Sequence, residues 1–320
     1  MKKAYLIFFA VFFALIGLIP SINLKGKGQK GGGLSGLSGE ASFSVLCPDG
    51  NVKILSAKEY LFGVLCAEMS PESPDEALKA QAVAAFSFAK YKASERRKNP
   101  PADLYGADLY ADSSKDQGYI PKEEAVKKWG QKADEYTKKL NRVLEQTVGV
   151  YLSFEGECAL TLYHGISAGR TDSAETVFGT ALPYLVPVQS ASDLLEPDYC
   201  TESTVSFEEF FNRLNGLCGG TLEFSEDFYG GKDCSDSGTV KTMNLFSRDF
   251  SGKEIREAFK LRSANFDIEV DDGKTEVRFV VRGYGHLVGM SQAGAVSMAK
   301  NGDDFKEILL HYYPGCQIVG

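Results

Sequence analysis

The sequence has no Cys-x-x-Cys pair, no Gly-x-Ser-x-Gly elbow, no internal repeat, and no stripe of Lys and Arg beyond its first thirty residues. The first absence removes zinc ribbons and dithiol redox motifs. Seven cysteines are nevertheless scattered along the chain, an odd number that leaves at least one thiol free. Cys218 and Cys234 flank a Gly-rich loop and offer either a disulfide, if the domain is exported, or two thiols in an anaerobic setting. Without the elbow, Ser167, His286 and any of several Asp residues have nothing to fix them as a triad, so serine-nucleophile chemistry is set aside. The lack of repeats excludes a solenoid. A net charge of −8 with no basic face argues against nucleic-acid partners, because such proteins concentrate cations to displace phosphate counterions.

What the sequence does hold begins with 43% apolar residues over 320 positions, enough for a substantial core. Lys2 and Lys3 precede an uninterrupted apolar run from Ala4 to Pro20. At ~1.5 Å rise per residue this run approaches the length of a ~30 Å hydrocarbon core. It exceeds a usual signal-peptide core, and Ser21-Ile22-Asn23-Leu24 offers no small-x-small cleavage site. Residues 1–22 therefore read as a retained single-pass membrane anchor with its basic flank in the cytoplasm, and a signal peptide would export the remainder equally. Residues 23–41, rich in Gly, Ser and Lys, read as a flexible tether spanning on the order of 25 Å. Residues 42–320 read as one mixed α+β domain with a groove between its helical and sheet parts.

Ser56-Ala57-Lys58-Glu59 is a capping box opening a helix with apolar positions Leu61, Val64 and Leu65. Continuing the same phase lands on Glu68, and Met69-Ser70-Pro71 stops the helix directly after it. A carboxyl group on the buried stripe should be harder to ionise, hence able to donate a proton. The plainer alternative is a helix-ending carboxylate in water. Ser73-Pro74-Asp75-Glu76 reads as a second capping box, starting an Ala-rich helix that runs to Asn99-Pro100-Pro101, with Ala77, Ala80, Ala84 and Phe88 on one face. Residues 121–145 read as one further helix. Residues 148–154 and 157–163 read as a hairpin turned at Glu155-Gly156. Thr275 to Arg282 alternates as a half-buried strand and empties into a glycine-laden loop, 283–289, before two closing helices at 291–300 and 305–312.

Among the three histidines, His286 lies between Gly283, Gly285 and Gly289, which permit close approach of a ligand or simply a tight strand-to-helix connection. His311 falls outside the apolar face of its helix and reads as a solvated residue. A metal site would draw on Cys158, His164 and a third ligand such as Cys200. Continuous strand would place Cys158 and His164 roughly 20 Å apart, so the chain must fold back after Leu162 for both to reach one ion. The alternative is a buried cysteine and an unrelated histidine.

Two long segments then carry a resemblance. Glu59-Tyr60-Leu61 through Glu68-Met69, followed by Glu76-Ala77-Leu78-Lys79-Ala80-Gln81-Ala82-Val83-Ala84-Ala85, is similar to the first signature of the stage II sporulation protein D family. Gly283-Tyr284-Gly285-His286 through Ala295, with Tyr312-Tyr313 before Pro314-Gly315, resembles its last. Ile166 to Thr171, Pro183-Tyr184-Leu185 and Leu261-Arg262-Ser263 match weaker blocks in order. The resemblance implies a membrane-anchored lytic transglycosylase cleaving peptidoglycan during forespore engulfment, with Glu68 as acid and base and the domain outside the cytoplasm. It further implies sugar contacts from Gln81, Ser167, Tyr184, His286, Ser291 and Gln292, and a preference for glycan stripped of stem peptides by a partner amidase. The chemistry requires no cofactor, while a structural zinc near Cys158 and His164 is a family property of some members. Two departures stand out: Phe86 occupies a position where the family usually has Arg, and Leu287 one where glycine is common.

Overall fold

The computed structural model describes residues 41–320. The anchor and nearly all of the tether lie outside these residues, and among the described residues no helix is long and apolar enough to cross a membrane. The architecture of the described residues is mixed α and β, with two large hydrophobic cores and a small third cluster around Leu104 and Tyr110.

The main core is organised around helices. Ser56 accepts from Glu59 N, and the Glu59 carboxylate returns to Ser56 N, so the capping box forms and launches α1, Ala57–Glu68. Leu61, Val64 and Leu65 are fully buried on it. The long central helix α2, Asp75–Lys98, is buried along most of its length and packs on α1 and on three later helices. Its expected capping box does not form. Pro74 is the N-cap residue, it contributes no side-chain bond, and Glu76 instead accepts from Lys79 and from Phe305 N.

The helix expected over 121–145 is broken into α3, Lys122–Trp129, and α4, Ala133–Thr147. The break falls at Gly130, whose φ of 56° and ψ of −121° are open only to glycine. Glu155 and Gly156, both at positive φ, turn the expected hairpin between Tyr151–Phe154 and Glu157–Cys158. Its second strand is short because the chain leaves after Cys158, and Tyr163–His164 pairs in parallel with Met290–Ser291 instead. Strand Gln317–Val319 completes the hairpin sheet on the other side. A separate sheet, Val52–Ser56 beside Ser42–Leu46 beside Leu109–Tyr110, packs on α1 through its first two strands and on α2 through its third. After the short α5, Ala174–Phe178, the chain enters the second core.

That core is built from phenylalanine. Strand Glu276–Arg282 lies between Phe266–Val270 and Cys200–Ser206, and its inward residues Val277, Phe279 and Val281 are buried as the alternation predicts. Against it pack α6, Phe207–Leu217, and α7, Gly252–Phe259, together with a second meander spanning residues 229–251. Ring pairs such as Phe259–Phe279 at 4.8 Å and Phe207–Phe228 at 5.1 Å run through this core. The chain then returns through the glycine loop to α8, Gln292–Asn301, and α9, Phe305–Tyr312, which pack on α2. All seven cysteines are free, Cys218 and Cys234 included.

Candidate functional site

Glu68 is the last residue of α1. Its position follows from the cap at one end and from the burial of Leu61, Val64 and Leu65 on the same stripe, which fixes the rotation of the helix. The carboxyl group reaches a cavity of about 440 Å³ lined by Leu46, Cys47, Tyr110, Lys115, Gly118 and Tyr119, among others. Burial pushes its pKa above the ordinary glutamate value, while bonds to the ionised form pull it back. Those bonds come from Gly118 N to Oε1 at 2.7 Å and from Gln292 Nε2 to Oε2 at 3.3 Å. Three phenols, Tyr60, Tyr163 and Tyr284, sit within its electrostatic reach and are themselves held protonated chiefly by burial.

The expected contact residues separate into groups. Gln81, fully buried on α2, accepts from the same Gln292 Nε2 at 3.3 Å, so Glu68, Gln81 and Gln292 meet although they are up to 224 residues apart. Gln81 Nε2 makes no hydrogen bond of its own. Ser291 caps α8 by accepting from Gly294 N, and it donates to Asp193 Oδ2 at 2.6 Å. Ser167 N donates to the same Asp193 oxygen at 2.6 Å. These two serines therefore meet at a buried carboxyl rather than at Glu68. Tyr184 is turned into the main core, its hydroxyl accepting from Leu160 N and its ring lying 5.2 Å from Phe154. His286 is buried beside His164 and Phe178, with Nδ1 accepting from Val288 N. None of the expected contact residues, Gln81, Ser167, Tyr184, His286, Ser291 and Gln292, lines the cavity at Glu68. His311 is less open than expected: Nε2 pairs with Gln189 O at 2.7 Å.

The donor set for zinc does not assemble. The Cys158 thiol is directed at the carbonyls of Ser87 and Ala159. His164 Nδ1 is bonded to Val288 O at 3.2 Å, and burial holds this ring near pKa 4 and neutral. Cys200 opens an exposed strand paired to Arg282. Among the described residues no group of three or more His, Cys, Asp and Glu side chains is placed to hold a metal ion. Cys158 pairs with Ser153 in the hairpin, whereas His164 lies in another sheet, paired in register with Ser291.

Sequence reasoning passed over Gly118 and Asp193. Gly118 acts through its backbone, which no residue pattern announces, and it lies 50 residues from its partner. Asp193 is a single acid in a polar run, Ser190-Ala191-Ser192-Asp193, and becomes notable only once its burial is known. Of the two departures, Phe86 is buried and meets Phe43 edge-on at 6.1 Å, so it is part of the core. Leu287 adopts φ 64°, the left-handed region that glycine enters freely.

Comparison with known proteins places this chain in a family. A profile of the Stage II sporulation protein family matches residues 50–154, which include Glu68 and Gln81. Stage II sporulation protein D of Bacillus amyloliquefaciens is 33% identical over 274 residues, covering 84% of this chain and 75% of that protein. Its namesake in Bacillus subtilis (strain 168) is 32% identical over 271 residues, covering 84% and 76%. A protein of Bacillus subtilis named Amidase enhancer is 25% identical over 312 residues, 81% of this chain and 40% of that one. With a relative a third identical across most of both chains, this chain belongs to the stage II sporulation protein D family.

Proposed function

We propose that this protein is a lytic transglycosylase of peptidoglycan acting in sporulation, with Glu68 as its single proton-transferring residue. The observation that carries the reading is a carboxyl group, driven toward its acid form by burial, facing a cavity large enough for a sugar ring. Protonated Glu68 donates to the glycosidic oxygen linking MurNAc to GlcNAc as the C1–O4 bond breaks. The resulting carboxylate takes the proton of the MurNAc C6 hydroxyl while O6 closes on C1, giving a 1,6-anhydro ring and a free 4-hydroxyl. Gly118 N–H stabilises the carboxylate between the two steps. The Gln292 amide donates to that carboxylate, and after turning over its oxygen accepts from the acid form. The other carboxylate on the cavity wall, Asp112, is engaged by Ser114 N and Oγ, and the reaction requires no second acid.

The test uses glycan strands stripped of stem peptides, with wild-type protein and Glu68→Gln. The variant should lose about 10²- to 10⁴-fold in release of anhydro ends while still binding glycan. Wild-type activity should fall as pH rises through the raised pKa of Glu68, because only the acid form can donate. Cleavage by Glu68→Gln at the wild-type rate would sink the assignment.

The second reading is a non-catalytic glycan-binding protein that activates an amidase, favoured by the relative named Amidase enhancer. It predicts no anhydro ends from wild type and faster peptide release when an amidase is added. Under either reading we place residues 42–320 outside the cytoplasm on a retained anchor. Protease added to wall-stripped cells should digest the domain, and full protection with intact membranes would contradict this topology.

A further inference from the structure

The segment 112–121, between strand Leu109–Tyr110 and α3, is fastened residue by residue to the elements around Glu68. Asp116 is fully buried and takes a two-pronged bond from Arg96 on α2, Nη1 to Oδ2 at 2.6 Å and Nη2 to Oδ1 at 2.7 Å. Asp116 Oδ2 also accepts from Tyr110 N. Gln117 donates to Tyr60 OH and to Ala85 O and accepts from Tyr163 OH. Tyr119 stacks on Tyr60, and Ile120 N donates to Gly63 O on α1. Between these fixed points, Gly118 N meets Glu68 Oε1 at 2.7 Å. A Cβ at position 118 would lie 2.9 Å from that oxygen and 3.0 Å from Ala67 Cβ, so even a methyl there would push the Glu68 carboxyl out of its place.

We propose that Arg96, Asp116 and Gly118 form a positioning device that sets which oxygen of Glu68 carries the transferable proton, an inference resting on the reading of Glu68 as the acid. A backbone N–H can only donate, so Oε1 stays an acceptor in both protonation states and the acid proton resides on Oε2. That oxygen faces Gln292, whose amide turns to suit either state. The same N–H favours the carboxylate, which keeps the acid from becoming too weak to give its proton up. The other titratable groups around Glu68 are Tyr60, Tyr163 and Tyr284, with Cys47, Tyr110, Asp112, Lys115 and Tyr119 on the cavity wall. Lys92 and Arg96 both face Asp116, so the loop is anchored to α2 by charge and not by shape alone.

Carbon-13 labelling of glutamate carboxyls lets Glu68 be titrated by NMR without turnover, its signal assigned by its loss in Glu68→Gln. In Gly118→Ala and Asp116→Asn the titration midpoint should move to higher pH. Release of anhydro ends should fall on the order of 10²-fold, and the alkaline limb of the pH profile should move up with the midpoint. Arg96→Lys, which keeps the charge but loses the fork, should lie between wild type and Asp116→Asn. Should Asp116→Asn fail to fold, Gly118→Ala decides alone, since its added methyl meets only Glu68 and Ala67 at close range. An unmoved midpoint in a folded Gly118→Ala protein overturns the proposal. Midpoints that move in a wild-type background releasing no anhydro ends would uphold the positioning and refute the lytic reading. Fixed midpoints with normal wild-type cleavage would do the reverse.

Discussion

Leu287 sets two residue-scale terms against each other. Its backbone, at φ 64°, bears a cost of roughly 1–2 kcal/mol that glycine would not, while its side chain is almost completely buried. Truncating a buried leucine typically costs about 2–5 kcal/mol, so the side chain outweighs the strain and the substitution is tolerated. Comparing Leu287→Gly with Leu287→Ala separates the terms. Both lose the packing, but only the glycine variant is relieved of the left-handed penalty. Denaturant unfolding should therefore rank wild type above Gly and Gly above Ala, the reverse of the usual order of those two residues in regular structure. An alanine variant as stable as the glycine variant would show that the backbone at 287 carries no strain.

At the level of elements, what could be read in the sequence is what is encoded locally. The box at Ser56 and Glu59, the phase of Leu61, Val64 and Leu65, and the stop at Met69 together specify α1 and so the place of Glu68. The second box failed because Pro74 and not Ser73 takes the N-cap position, and Glu76 is engaged by Lys79 one turn on and by the distant Phe305 N. The break in 121–145 was hidden because one glycine does not announce its φ and ψ. Gly118, Gln117 and Asp116 reach Glu68, Tyr163 and Arg96 only through tertiary structure, and no periodicity reports that. Since the cap of α1 is local and exposed, Ser56→Ala should cost about 1 kcal/mol in thermal or denaturant unfolding. It should leave the cleavage chemistry intact at temperatures where the protein is folded, because Glu68 sits at the opposite end of the helix. A loss of activity without loss of stability would mean that the cap, and not only the core stripe, aims Glu68.

Across the whole molecule, the return of the chain from the phenylalanine core through residues 283–289 brings His286 against His164, ring centroids 5.7 Å apart, inside protein. Burial lowers both pKa values, His164 to about 4 and His286 well below its ordinary value, so both rings are neutral in the fold. Unfolded, each would titrate near 6.5. Below 6.5 the unfolded chain then binds protons that the folded chain refuses, and stability is lost as pH falls from 6.5 through about 4. Each histidine contributes at most about 1.4 kcal/mol per pH unit within that window. The buried carboxyls run the other way. Glu68, Asp172 and Asp193 have raised pKa values, so the folded state holds their protons longer and loses stability as pH rises past the unfolded carboxylate range. Where the two windows overlap the slopes oppose each other and partly cancel in wild type. A difference measurement removes the carboxyl part: His164→Phe keeps a ring in the same space but has no nitrogen to protonate. Denaturant midpoints taken from pH 4 to 7 should show the variant weaker than wild type at pH 7, where the His164 bond to Val288 O is missing. The gap should narrow steadily as pH falls below 6.5. A gap constant across the whole range would mean that His164 titrates alike in both states and that its burial carries no pH dependence.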